Sequence, residues 1–127
     1  MSSEEDIFTL VGALPVGTII PKPAAKGLFR VKGLGKRRGQ SALIYSIPNR
    51  RSCEASYEKG INQEEWRKAY GQLLGTGHFT ADWAKQNIPD CIREGYCNFT
   101  TIGGVFCLLG LARYEGRGTY SATAPAD

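Results

Sequence analysis

The run Thr100–Ala112, TTIGGVFCLLGLA, is the most apolar stretch of the chain. Ile102, Val105, Phe106 and Leu109 recur at i, i+3, i+4 and i+7, which places them on one face of a helix. Thr100 or Thr101 offers a capping hydroxyl and Gly110 a stop, so the spacing predicts a helix over 101–110. Any fold of this sequence has to cover that face. At 127 residues the chain reads as one domain, long enough to bury a core without disulfides or metal.

The segments before it alternate between helical and strand patterns. Ser2 and Glu5 have capping-box spacing, and Ile7, Leu10, Val11 and Leu14 follow at helical intervals up to Pro15 and Gly17. Thr18–Ile20 is a short strand candidate. Residues 27–32 and 42–47 read as the arms of a β-hairpin, with 33–41 (GLGKRRGQS) as a long basic loop at its tip. Residues 49–61 show no period and read as a connection. The best helix runs from 62 to 74: Asn62 caps it, Glu65 completes a capping box, Glu64 and Lys68 pair at i, i+4, and Gly75 ends it. Thr80 caps a shorter helix over 81–88 that ends at Pro89, residues 89–98 read as a loop, and 111–121 form a hairpin turning at Glu115–Gly118. Residues 122–127 read as a small-residue disordered tail.

Charge is divided unevenly. Residues 7–53 hold nine basic side chains and no acid, whereas 54–99 hold seven acids against five bases, within a net charge of +4. A basic half (1–53) thus precedes a mildly acidic one (54–121). Such a field attracts a nucleic-acid backbone or an acidic partner, or it draws the two halves of one molecule or dimer together. Clustered Lys and Arg on a mobile glycine-rich loop suit phosphate contact, while the same charges also serve as a solvated turn. The glycine order is neither a nucleotide P-loop nor a dinucleotide fingerprint.

Other chemistries find little support. Cys53, Cys91, Cys97 and Cys107 form no C-x-x-C pair and His78 is the single histidine, so neither a metal nor any other cofactor is expected. His78, Asp82 and a cysteine are the right residue types for a nucleophilic site, but nothing in the sequence places a thiol beside the imidazole, and no catalytic residue is assigned. No run approaches the roughly 18 apolar residues of a membrane span. The acidic start MSSEEDIF lacks the basic segment of a secretory signal, which predicts a cytoplasmic protein.

Helices 62–74, 81–88 and 101–110 followed by hairpin 111–121 resemble, in element order, the winged helix-turn-helix superfamily. The expected fold is a single α+β domain, its N-terminal helix and basic hairpin packed with a winged-helix-like unit. The resemblance implies that Thr100 and Thr101 meet a DNA groove and that Arg113 and Arg117 touch backbone from the wing. The outward face of the third helix departs from that pattern: Thr101, Gly104, Cys107, Leu108 and Leu111 include no base-reading side chain, and two mid-helix glycines cost roughly 1 kcal/mol each relative to alanine. That face suits close packing against a neighbouring element or a second copy. The expected function is therefore non-enzymatic DNA or RNA binding through phosphate contacts from Arg30, Lys32, Lys36, Arg37, Arg38, Arg113 and Arg117. The competing expectation is a homodimeric interaction or ligand-binding protein with a cleft lined by Trp66, Tyr70 and Trp83.

Overall fold

The computed structural model describes residues 7–23, 27–48 and 57–123, with Tyr57 described by its backbone alone. The architecture is a small α+β domain. Helix α1 (Ile7–Gly12) precedes an antiparallel sheet of β1 (Ile19–Ile20), β2 (Phe29–Arg37), β3 (Gln40–Ile47) and β4 (Tyr57–Asn62), ordered β1-β2-β3-β4. Then follow α2 (Gln63–Thr76), β5 (His78–Thr80), α3 (Ala81–Asn87), α4 (Pro89–Glu94), α5 (Cys97–Leu108), β6 (Ala112–Gly116) and β7 (Thr119–Ala122). The last three strands form a second antiparallel sheet in the order β5-β7-β6.

One continuous core joins the two halves. Ile7 and Val11 of α1, Leu43 and Tyr45 of β3, Trp66 and Leu73 of α2, Phe79 of β5 and Tyr120 of β7 all pack into the cluster around α5. Phe79 sits at its aromatic centre, with ring contacts to Trp83, Phe99, Phe106 and Tyr120. Among the described residues no helix is long and apolar enough to cross a membrane.

Helix α2 begins as its sequence predicts. The Asn62 side chain accepts from the Glu65 backbone N–H, and Glu65 accepts from the Asn62 backbone N–H, a reciprocal capping box. The helix runs past Gly75, however, and ends where Gly77 takes a left-handed φ of 83°. Glu64 pairs with Arg67 at i, i+3 rather than with Lys68. Thr80 caps α3 by accepting from the Trp83 backbone N–H.

Several segments differ from expectation. The long basic loop at 33–41 is mostly strand, and the connection read over 49–61 ends in β4; its residues 49–56 lie outside the described residues, as do Ser2, Glu5 and 124–127. Glycine lowers strand propensity, but here it makes room. A Cβ on Gly35 or Gly60 would stand 2.8 or 2.7 Å from Ile44, whose side chain lies across both strands. The hairpin turn is only Arg38-Gly39, with φ of 53° and 80°, and Arg117-Gly118 repeats the device with 51° and 68°. Two positive φ values in a two-residue loop match the twist of the flanking strands. Within 89–98, read as a loop, Pro89–Glu94 is helix, because Pro89 lacks an N–H and so opens α4 as readily as it closes α3; only Gly95 and Tyr96 stand between it and α5.

Helix α5 starts at Cys97, earlier than expected, and neither Thr100 nor Thr101 caps it. It is buried nearly all round. Ile102, Val105 and Phe106 face the core, and Thr101 and Gly104, expected to face outward, are buried as well. A Cβ on Gly103 would overlap the Tyr120 ring, and one on Gly104 would overlap the Pro21 carbonyl oxygen. The glycines admit a ring on one side and the backbone after β1 on the other. Of the face expected to pack against a neighbouring element or a second copy, Gly104 meets a neighbouring element, the chain's own backbone after β1, while Leu108 stays exposed.

Candidate functional site

The basic hairpin carries much of its charge inward, onto the acidic half. Arg38 Nε and Nη2 donate to the Glu65 carboxylate at 2.6 and 2.8 Å, Nη2 also reaches the Gly60 carbonyl at 2.8 Å, and Nη1 donates to Glu94 at 2.6 Å. Arg37 Nε donates to the other oxygen of Glu94 at 3.2 Å, and Asn62 donates to the Arg37 carbonyl. Only 22% of the Arg38 side chain and 9% of Glu65 remain exposed. The Glu65 bond raises the Arg38 pKa beyond its ordinary value. Desolvation pushes the Glu94 pKa up, but hydrogen bonds from Arg38 and Arg37 outweigh it and leave the carboxyl below its usual range. Attraction between the halves of one molecule therefore accounts for the central part of the charge asymmetry.

The remaining phosphate-contact candidates are scattered in their commitments. Lys32 occupies a β-bulge, between the pairs Val31↔Tyr45 and Gly33↔Ile44, and pairs with Glu58. Arg30 donates to the Gly17 carbonyl, and Arg113 to Glu115. Lys36 and Arg117 are exposed and make no ion pair among the described residues. Arg37 and Arg38 are structural in this arrangement; Lys36 and Arg117 are available.

Of the expected cleft residues, Trp66 and Tyr70 are buried in the core against Phe106 and present no surface to a ligand. Trp83 is half-buried against Phe79. None of the three lines either of the two cavities described next.

A cavity of about 330 Å³ opens elsewhere, over the amino end of α5. Lys22 and Pro23 after β1 and Phe29 of β2 form one wall. Tyr96, Cys97, Phe99 and Thr100 form its floor, and Tyr114 and Gly118 of the last hairpin close the other side. A smaller cavity of about 150 Å³ adjoins it, sharing Lys22, Pro23 and Tyr114 and reaching Gly104, Cys107 and Tyr120. Exposed Tyr96 and Tyr114 stand over Phe99 and Tyr120 respectively.

Lys22 is the charged residue of this cleft. Its Nζ donates to the Cys97 carbonyl at 2.9 Å and to the Thr100 and Thr101 hydroxyls at 2.8 and 2.7 Å. It lies 4.2 Å from the centroid of Phe29 and 5.6 Å from that of Tyr45. No carboxylate of a described residue touches it. Burial therefore lowers its pKa to about 7, with Cys97 opposing. Tyr45, beneath it, donates to Asn98 Oδ1 at 2.6 Å and lies 3.3 Å from Cys97 Sγ; burial pushes the phenol pKa up. Asn98 in turn donates to the Cys91 carbonyl.

Two buried polar atoms, Trp66 Nε1 and the Tyr120 hydroxyl, have no hydrogen-bond partner among the described residues, and Tyr120 lines the smaller cavity. Among the described residues no group of three His, Cys, Asp or Glu side chains is placed to hold a metal ion. Sequence reasoning missed Lys22 because it counted the residue as one more base among nine. Its signal was local: a lone lysine between Pro21 and Pro23, directly after an apolar strand. Comparison of the chain with protein-family models, curated proteins and solved structures finds no match.

Proposed function

We propose that this protein is a binding module that holds a small, flat ligand in the cleft between its N-terminal sheet and its C-terminal helical half. The observation that carries the reading is Lys22, whose amine is withdrawn from water beside an aromatic-walled cavity and touches no carboxylate of a described residue. Buried charge is costly unless paired, and a group left so is a site in want of a partner. The cavity volume lies at the small end of ligand pockets, and its wall of rings with a few convergent polar groups is the usual composition of one.

The order α2-β5-α3-α5-β6-β7, with α4 inserted and the sheet ordered β5-β7-β6, supports reading residues 63–122 as winged-helix-like. In that reading the N-terminal sheet lies on the helix that enters DNA in other members, and Pro21 and Lys22 take the place of a groove. The test is a fragment screen by protein NMR. Ligands should perturb Phe29, Tyr96, Thr100, Tyr114 and Gly118 together; a library of one- and two-ring aromatics that leaves those signals unmoved would overturn the proposal.

A second reading, backbone binding to nucleic acid, rests on Lys36 and on Arg117 at the tip of the last hairpin. Two phosphate contacts give log K a salt slope of roughly −2, so binding to a random duplex should be weak and visible only at low salt. Lys36→Glu with Arg117→Glu should abolish it. A duplex that fails to bind at low salt removes this reading.

A further inference from the structure

We infer that the ligand of this cleft is a flat aromatic monocarboxylate, its carboxylate against the Lys22 ammonium and its ring among Phe29, Tyr96, Phe99 and Tyr114. This rests on the cleft reading above and adds a chemical class to it. The acceptors already on Nζ are all neutral: one peptide carbonyl and two threonine hydroxyls. Around it stand the Tyr45 phenol, which burial keeps protonated, the rings of Phe29 and Tyr45, and Cys97, whose charge interaction favours the protonated lysine. The cation also stands at the first residues of α5, where the helix dipole is itself positive. Cation and dipole both favour an anion arriving from the cleft. Lys22 is the only charged side chain among the described lining residues, so a monoanion is neutralised there and a phosphate dianion leaves one charge over in an apolar wall.

The rest of the cavity asks for a ring. Phe29, Phe99, Tyr96 and Tyr114 provide faces and edges for offset stacking, and about 330 Å³ accommodates one or two fused rings. Beyond Tyr114, the smaller cavity is bordered by Tyr120, only 1% exposed, whose hydroxyl has no hydrogen-bond partner among the described residues. A polar substituent on the far edge of the ring is therefore compatible with the site, whereas a second charge is not.

The experiment measures binding of 2-naphthoate, its neutral isostere 2-naphthamide and 2-naphthyl phosphate to the full chain by calorimetry at pH 6.5. All three Nζ donors are engaged in the unliganded protein, so the carboxylate takes the N–H now given to the cavity-lining Thr100 hydroxyl, and it should bind roughly ten- to hundredfold more tightly than the amide, the ratio expected when a charge-assisted hydrogen bond replaces a neutral one. In Lys22→Met the carboxylate should fall to the level of the amide while the amide is unchanged. Equal binding of carboxylate and amide, or a preference for the carboxylate that survives Lys22→Met, overturns the inference and leaves the cleft reading standing. Tighter binding of the phosphate overturns the choice of carboxylate. Failure of all three to bind overturns the cleft reading itself. Should Lys22→Met not fold, the wild-type protein still decides: the carboxylate-to-amide ratio must shrink between pH 6 and pH 9, and a constant ratio sinks the inference.

Discussion

At the scale of single residues, neighbouring cations do different work. Arg38 has its guanidinium on two carboxylates and a peptide carbonyl, while Lys36, two positions earlier on the same hairpin, is exposed and unpaired among the described residues. Removing Arg38 leaves Glu65 mostly buried without its bidentate partner. Arg38→Ala should therefore cost about 2–3 kcal/mol, discounted from a fully buried pair because the arginine is partly wet. Lys36→Ala should change stability by no more than about 0.5 kcal/mol. Urea denaturation of the two variants checks this, and comparable midpoints would show that the network contributes nothing to folding. The sequence displayed both residues as members of one basic cluster. What separates them is the reach of Arg38 across the hairpin turn to Glu65 and Glu94, distant in sequence and adjacent only after β4 and α4 are in place.

At the scale of elements, legibility followed locality. Helix α2 was readable because its cap, its acidic first turn and its buried stripe all lie within its own residues. The first residues of β2 were readable too, but its second half, 33–37, was not, because the room that Gly35 makes is for Ile44 on the neighbouring strand. The same contrast separates two helical glycines. Gly75 lies in the last turn of α2, where a Cβ would meet nothing within 4 Å and φ is not positive. Gly75→Ala should stabilise the protein by about 0.5–1 kcal/mol through lost backbone freedom in the unfolded chain. Gly103 lies under the Tyr120 ring, and Gly103→Ala must displace that ring from the core, costing several times as much, about 2–3 kcal/mol. Thermal melts of both variants should move in opposite directions; a stabilised Gly103→Ala would mean that Tyr120 is not held against α5. The candidate cleft escaped sequence reasoning for the same physical reason. Its walls come from β1–β2, the α4–α5 junction and the last hairpin, and no local pattern joins them.

Across the protein as a whole, these features give stability a characteristic pH dependence. The Lys22 pKa is held near 7 in the folded state against 10.5 in the unfolded one, so between those values the unfolded chain binds more protons and stability rises with pH. Below pH 7 the lysine is charged in both states and its burial cost is constant. Glu94 acts at the other end: its folded pKa lies below 4.5, so stability falls as pH drops through that region. The Cys91 thiol sets the upper limit, because burial raises its pKa above 9.0 and the unfolded chain releases that proton first, which lowers stability at higher pH. The urea midpoint should therefore be level between about pH 5 and 7, climb above pH 7 to a maximum between about 9 and 10, and decline on either side of that whole range. Lys22→Met should raise the midpoint at pH 6 and remove the climb above pH 7, leaving the acid limb intact, while Glu94→Gln should make the acid limb shallower and leave the climb in place. A Lys22→Met profile that still climbs between pH 7 and 8.5 would place the titrating group elsewhere. A wild-type profile that climbs as described identifies Lys22 as a charge that the fold holds at a cost, the cost that the proposed anion would relieve.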